Sequence, residues 1–200
     1  MTHDLPRRKP LRLAGYDYAQ AGAYFVTIVT QGRTLLFGEI VQDEMRLNAA
    51  GNMTEKIWQS LRERFPTVEL GEYVVMPNHF HAVIILVGAG LVPARHGRGP
   101  SMNEESDASG GVDVTGATTR VAPTGPTLGQ IIGAFKSITT HEYIVGVKTL
   151  GWPAFDKSIW QRNYYEHIIR SEDAAQRIAL YIESNPARWA DDKENPSNPS

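Results

Sequence analysis

Apolar and polar positions along the chain alternate in patterns that predict a series of short elements. "AYFVTIVT" (23–30) is dense in β-branched and aromatic residues and predicts a strand. "NAAGNMTEKIWQSLRERF" (48–65) places Met53, Ile57, Trp58 and Leu61 at helical spacing, and Pro66 closes that helix. "VELGEYVVMPNHFHAVIIL" (68–86) predicts two strands joined around Pro77-Asn78, a pair suited to a hairpin turn. Helical spacing returns in "TLGQIIGAFKSITTHEYI" (127–144) through Leu128, Ile131, Ile132, Phe135 and Ile138. "IWQRNYYEHIIR" (159–170) alternates in part and predicts another strand. Ser171, followed by Glu172 and Asp173, offers a capping hydroxyl and acids at the positive end of a helix dipole. That helix runs through Ile178 and Tyr181 towards Asn185-Pro186, where the proline biases the residue before it away from helix.

The order is strand, helix, strand, strand, helix, strand, helix. With a central hairpin, it predicts an α+β fold: an α/β sandwich on a largely antiparallel sheet, closest to the ferredoxin-like arrangement. Between these elements, residues 88–126 change to Gly, Pro, Ser, Thr and Ala and are expected to form a loop insertion, too polar for a core. Residues 1–190 are expected to form a single domain, and "DDKENPSNPS" (191–200) a disordered tail.

Composition narrows the class. The chain of 200 residues is 42% hydrophobic and 21% charged, ordinary values for a globular domain. It has no cysteine, which excludes disulfides and thiolate metal sites. No apolar run approaches the roughly 18 residues of a membrane span, and "MTHDLPRRKPLRLAG" has no apolar signal core. The expectation is a soluble cytoplasmic protein. The formal net charge is -2, but the acids are concentrated. Glu104, Glu105, Asp107 and Asp113 lie in the polar insertion, and Asp191, Asp192 and Glu194 in the tail, so the remainder is net positive. "PRRKPLR" (6–12) is a basic arm, suited either to phosphate contacts or to simple solvation.

The candidate chemistry begins with "NHFH" (78–81). In a strand, residues i and i+2 share a face, so His79 and His81 project side by side and Phe80 projects away. Two imidazoles so placed can chelate one divalent ion; such a pair also occurs as ordinary hydrogen-bonded histidines at a strand edge. A hard cation such as magnesium or manganese would need a further oxygen ligand. His167, beside Glu166, suits either a phosphate contact or a structural hydrogen bond. Tyr181 and Asn185 are four residues apart on the last helix, which puts a phenol and an amide on one face.

In order along the chain, the blocks "GYDYAQAGAYFVTIVTQGRTLLFGEI", "LNAAG", "VVMPNHFHAVIIL", "PTLGQIIGAFKSITT", "WQRNYYEHIIR" and "YIESNPARWA" resemble the REP-associated tyrosine transposases, relatives of the single-tyrosine HUH transposases of small insertion sequences. The resemblance covers nearly all of the chain outside about 88–126 and the last few residues. It implies the HUH type of fold and a metal-dependent nuclease and strand transferase acting on single-stranded or hairpin DNA, with Mg2+ or Mn2+ as cofactor. The family's histidine pair maps onto His79 and His81. Its nucleophilic tyrosine, five residues before the proline of the "NP" pair, maps onto Tyr181, and the polar residue one turn later, implied as the third metal ligand, onto Asn185. DNA-contact candidates are the arm (Arg7, Arg8, Lys9, Arg12) together with Lys136, Arg162, Tyr164, Tyr165, His167 and Arg170. The resemblance is compatible with a monomer or a homodimer. Two other functions fit these residues: a catalytically idle hairpin-binding protein, and a metal hydrolase that uses water as nucleophile.

Overall fold

A computed structural model describes residues 21–87 and 125–198 of the chain. Four strands form the main sheet: β1 (Gly22–Val29), β4 (Val68–Val75), β5 (His79–Leu86) and β6 (Tyr165–Ile169). Their order is β4-β5-β1-β6, with every neighbouring pair antiparallel. Helices α1 (Ala49–Arg64) and α2 (Leu128–Leu150) intervene in the chain order, completing the ferredoxin-like β-α-β-β-α-β unit, and α3 (Glu172–Ser184) follows β6. The expected fold class holds.

Each helix begins where its sequence supplies a cap. The Asn48 side chain accepts from Gly51 N at 2.9 Å at the start of α1, a contact worth about 1 kcal/mol. Thr127 and Gln130 form a reciprocal capping box on α2, and the Ser171 hydroxyl accepts from Ala174 N on α3. The two ends of α2 differ in mechanism. Its C-terminus is closed by Gly151 at φ 69, and inside the last turns a Cβ on Gly146 would fall 2.2 Å from the Trp152 ring.

Strand alternation separates two cores. On one face of the sheet, Tyr24, Val26, Ile28, Phe80, Ala82 and Ile84 pack beneath α1 and α2, with the Phe80 ring centroid 4.8 Å from Trp58 and 5.0 Å from Phe135. On the other face, Phe25 and Val83 form a small cluster with Ile182 of α3. His79 and His81 share this second face.

Four departures from the sequence expectations have physical causes. A short hairpin, β2 (Gly38–Val41) with β3 (Glu44–Leu47), precedes α1; it turns through Gln42 and Asp43, both at positive φ. Helix α2 continues past Ile144 to Leu150, where Val147 still packs against the main core and Gly146 leaves room for the Trp152 ring. Only Tyr165–Ile169 of the expected 159–170 strand is a strand; before it, Trp160 makes a single bridge to Thr30. The expected disordered tail is corrected as far as the description reaches. After Asn185 the chain turns through a 3-10 helix (Pro186–Asp191), and residues 192–198 are tied down by two Asx bonds, Glu194 N to Asp192 Oδ1 and Ser197 N to Asn195 Oδ1 at 3.0 Å, and by Asn198 Nδ2 donating back to Ala190 O at 2.8 Å. The basic arm and residues 88–124 of the insertion lie outside the described residues.

Candidate active site

β5 carries His79 and His81 into the layer beneath α3, with their ring centroids 4.5 Å apart. Each ring is held through Nδ1: His79 Nδ1 lies 2.9 Å from Asn78 Oδ1, and His81 Nδ1 lies 2.9 Å from Thr27 Oγ1 on the adjacent strand. Both Nε2 atoms therefore face the same space. His79 Nε2 is buried without a hydrogen-bond partner. Burial holds both imidazoles neutral: it lowers His79 against the opposing pull of Asp192, and it lowers His81 further, reinforced by His79.

α3 brings Tyr181 to the same space, its hydroxyl 3.4 Å from His81 Nε2. That contact is long for a hydrogen bond and leaves the nitrogen available as a ligand. The phenol ring stands edge-on to Phe25, which in turn stacks on His81. Its pKa is raised, first by burial and then by the charge of Asp192, with Asn185 opposing. Asn185 is itself 1% exposed, and its Oδ1 has no hydrogen-bond partner.

The residue that the sequence reading missed is Asp192. The 3-10 turn swings it back so that Oδ2 lies 3.9 Å from His79 Nε2, with its side chain 6% exposed. Among the described residues, ligand atoms of His79, His81 and Asp192 all lie within 4.8 Å of one another. A partnerless buried imidazole nitrogen, a partnerless amide oxygen and a carboxylate form a donor set suited to a hard or borderline divalent ion. The residues present fit a metal.

A Haemophilus influenzae protein, itself uncharacterized, is 32% identical over 191 residues, covering 93% of this chain and 92% of its own. The chain belongs to that protein's family. No family model matches it. Among solved structures, a REP-associated tyrosine transposase bound to a REP hairpin aligns with a TM-score of 0.53 and 17% identity, over 88% of this chain and 73% of that one. The family of the Haemophilus protein thus includes a member with the REP-associated tyrosine transposase fold, and the architecture agrees with the resemblance carried by the sequence blocks.

In this family member the remaining candidates scatter around the site. Residues facing each other in an antiparallel pair share a side of the sheet, so the Thr27–Tyr165 and Phe25–His167 pairs put Tyr165 and His167 on the same side as His81. Tyr165 is 49% exposed, with Lys193 over its ring. Tyr164 packs against the main core instead. Arg162 and Arg170 are exposed at the approaches to β6. Lys136 is engaged internally: its ammonium donates to the carbonyls of Gln161 at 2.9 Å and Asn163 at 3.0 Å, and burial lowers its pKa to about 8. Arg7, Arg8, Lys9 and Arg12 fall outside the described residues. Among the described residues, no helix is long and apolar enough to cross a membrane.

Proposed function

We propose that this protein is a metal-dependent single-stranded DNA endonuclease and strand transferase that cleaves at or near palindromic hairpins through Tyr181. One convergence carries the reading: on a fold shared with a hairpin-bound transposase, a phenol on α3 and a carboxylate from the turn after it meet an imidazole pair on β5, with 100 residues separating Tyr181 from His81. A divalent cation bound there would supply positive charge to a scissile phosphate. His79, His81 and Asp192 would hold it, with Asn185 Oδ1 as a further oxygen donor.

Tyr181 Oη forms the new oxygen–phosphorus bond as the bond from phosphorus to the 3′ oxygen breaks. The phenol loses its proton and the departing 3′ oxygen gains one. The products are a 5′-phosphotyrosine link and a free 3′-hydroxyl. Phosphodiester bonding is conserved in the adduct, so a 3′-hydroxyl can reverse the step and join strands. Phe25 and His81 orient the ring. Tyr165, His167, Arg162 and Arg170 offer a stacking surface and cations for the unpaired strand.

One observation favours a catalytically idle hairpin binder. His79 is 0% exposed and His81 is 2% exposed, and Trp189 lies beside His79 with ring centroids 6.0 Å apart. A phosphate reaches the imidazoles only if α3 or the segment after it moves.

Incubation with labelled hairpin oligonucleotides and Mg2+ or Mn2+, followed by mapping of any cross-linked peptide, separates the readings. An adduct on the peptide containing Tyr181 is expected. Binding without an adduct would leave the idle binder, and cleavage without a protein-linked product would indicate water as the nucleophile.

A further inference from the structure

Asn78, read from sequence as a turn residue, is 0% exposed and uses its whole amide. Its Nδ2 donates to the carbonyl of Arg33 at 3.1 Å and to that of Glu194 at 2.7 Å. Carbonyl oxygens only accept, so the NH2 end of the amide must face them, which settles its orientation. The other end, Oδ1, then lies 2.9 Å from His79 Nδ1. Oδ1 also only accepts, so Nδ1 carries the proton and Nε2 presents a bare lone pair. That is the buried nitrogen without a partner, and it faces Asp192. The contrast with His81 is informative, because its Nδ1 meets a threonine hydroxyl that can donate or accept.

We infer that Asn78 is a positioning residue with two tasks: it holds His79 in the Nδ1–H tautomer that a metal ligand requires, and it clasps the segment carrying Asp192 onto the site. The second task follows from the same amide, since Glu194 is gripped both at its carbonyl by Asn78 and at its carboxylate by Arg33 Nε at 3.0 Å. Asparagine is the side chain of this length that accepts once and donates twice. Aspartate would place a carboxylate against two carbonyls, and alanine leaves all three partners unsatisfied. Outer partners of metal-binding histidines commonly set affinity in this way. The inference rests on the metal-site reading above.

Two substitutions separate the tasks. Long-range 1H–15N correlation on histidine-labelled full-length protein, at neutral pH without added metal, should show His79 as the Nδ1–H tautomer. Asn78→Ala should shift it towards Nε2–H and weaken Mn2+ binding, measured by calorimetry, by about 10–100-fold. Asn78→Asp, which still accepts from Nδ1–H, should keep the tautomer but accelerate amide exchange across 192–198. An Nε2–H tautomer in the unmodified protein overturns the proposal, and so does an Asn78→Ala variant with unchanged tautomer and Mn2+ affinity. If Asn78→Ala does not fold, the unmodified spectrum and Asn78→Asp still decide. An Nδ1–H tautomer in a protein that binds no Mn2+ supports the orienting role and removes the metal-site reading instead.

Discussion

The hydroxyl of Tyr181 lies 3.4 Å from Nε2 of His81, across 100 residues of sequence. This places the proposed nucleophile at the ligand atom itself. In Tyr181→Phe, the ring keeps its contacts with Phe25 and His81 and loses the hydroxyl's long contact with His81 and its interaction with Asn185. Stability should change by less than about 1 kcal/mol, and hairpin binding should persist. The covalent protein–DNA adduct should fall to background on a denaturing gel. An undiminished adduct would move the nucleophile elsewhere.

The third ligand is decided by comparing Asp192→Asn with Asn185→Ala. Asp192 is the residue whose carboxylate groups with both imidazoles. Asp192→Asn should therefore weaken Mn2+ binding by about tenfold or more, and Asn185→Ala by less. The reverse ranking in calorimetry would return the ligand role to Asn185, as the resemblance implies.

Acid should destabilise the protein through the same histidines. Both have folded-state pKa values below the ordinary 6.5, chiefly because they are buried. The unfolded chain therefore takes up protons first as pH falls. The stability contributed by the neutral rings is present above about pH 6.5 and declines as pH drops towards the lowered values. Chemical denaturation across that range, without added metal, should show the loss. His81→Gln should flatten it; an equally steep acid decline in that variant would assign the effect to other groups.

Lys136 and Arg162 should separate structure from DNA contact. The Lys136 ammonium serves the carbonyls of the segment that leads into β6. Lys136→Met should cost about 1–3 kcal/mol of stability, with little change in the salt dependence of DNA binding. Arg162→Ala should leave stability nearly unchanged, weaken hairpin binding and reduce the salt slope by about one. A Lys136→Met protein that is stable but deficient in DNA binding would reverse these assignments.

What the sequence made legible was what repeats at a regular spacing. β1, α1, the β4–β5 hairpin and α3 stand where apolar periodicity and capping residues put them, and alternation correctly separates Phe80 from the two histidines. The β2–β3 hairpin escaped notice because its strands are 4 residues each and its turn lacks glycine. Asp192 escaped because "DDKENPSNPS" has no apolar residue to signal a fold. Its order comes from asparagine and aspartate side chains bonding to nearby backbone, a device that composition alone reads as disorder. Asn78 was visible, but its partners Arg33 and Glu194 come from opposite ends of the described chain.

The two halves of the site are anchored very differently. The imidazoles ride on β5, an interior strand laddered on both sides, so their spacing is as fixed as the sheet. The phenol rides on a helix with one fully buried residue, Ile182. Sub-global opening of α3 should therefore release Tyr181 while His79 and His81 stay in place on the sheet. An anvil that holds still while the hammer lifts admits a bulky polynucleotide without disturbing the imidazole pair onto which the helix closes again.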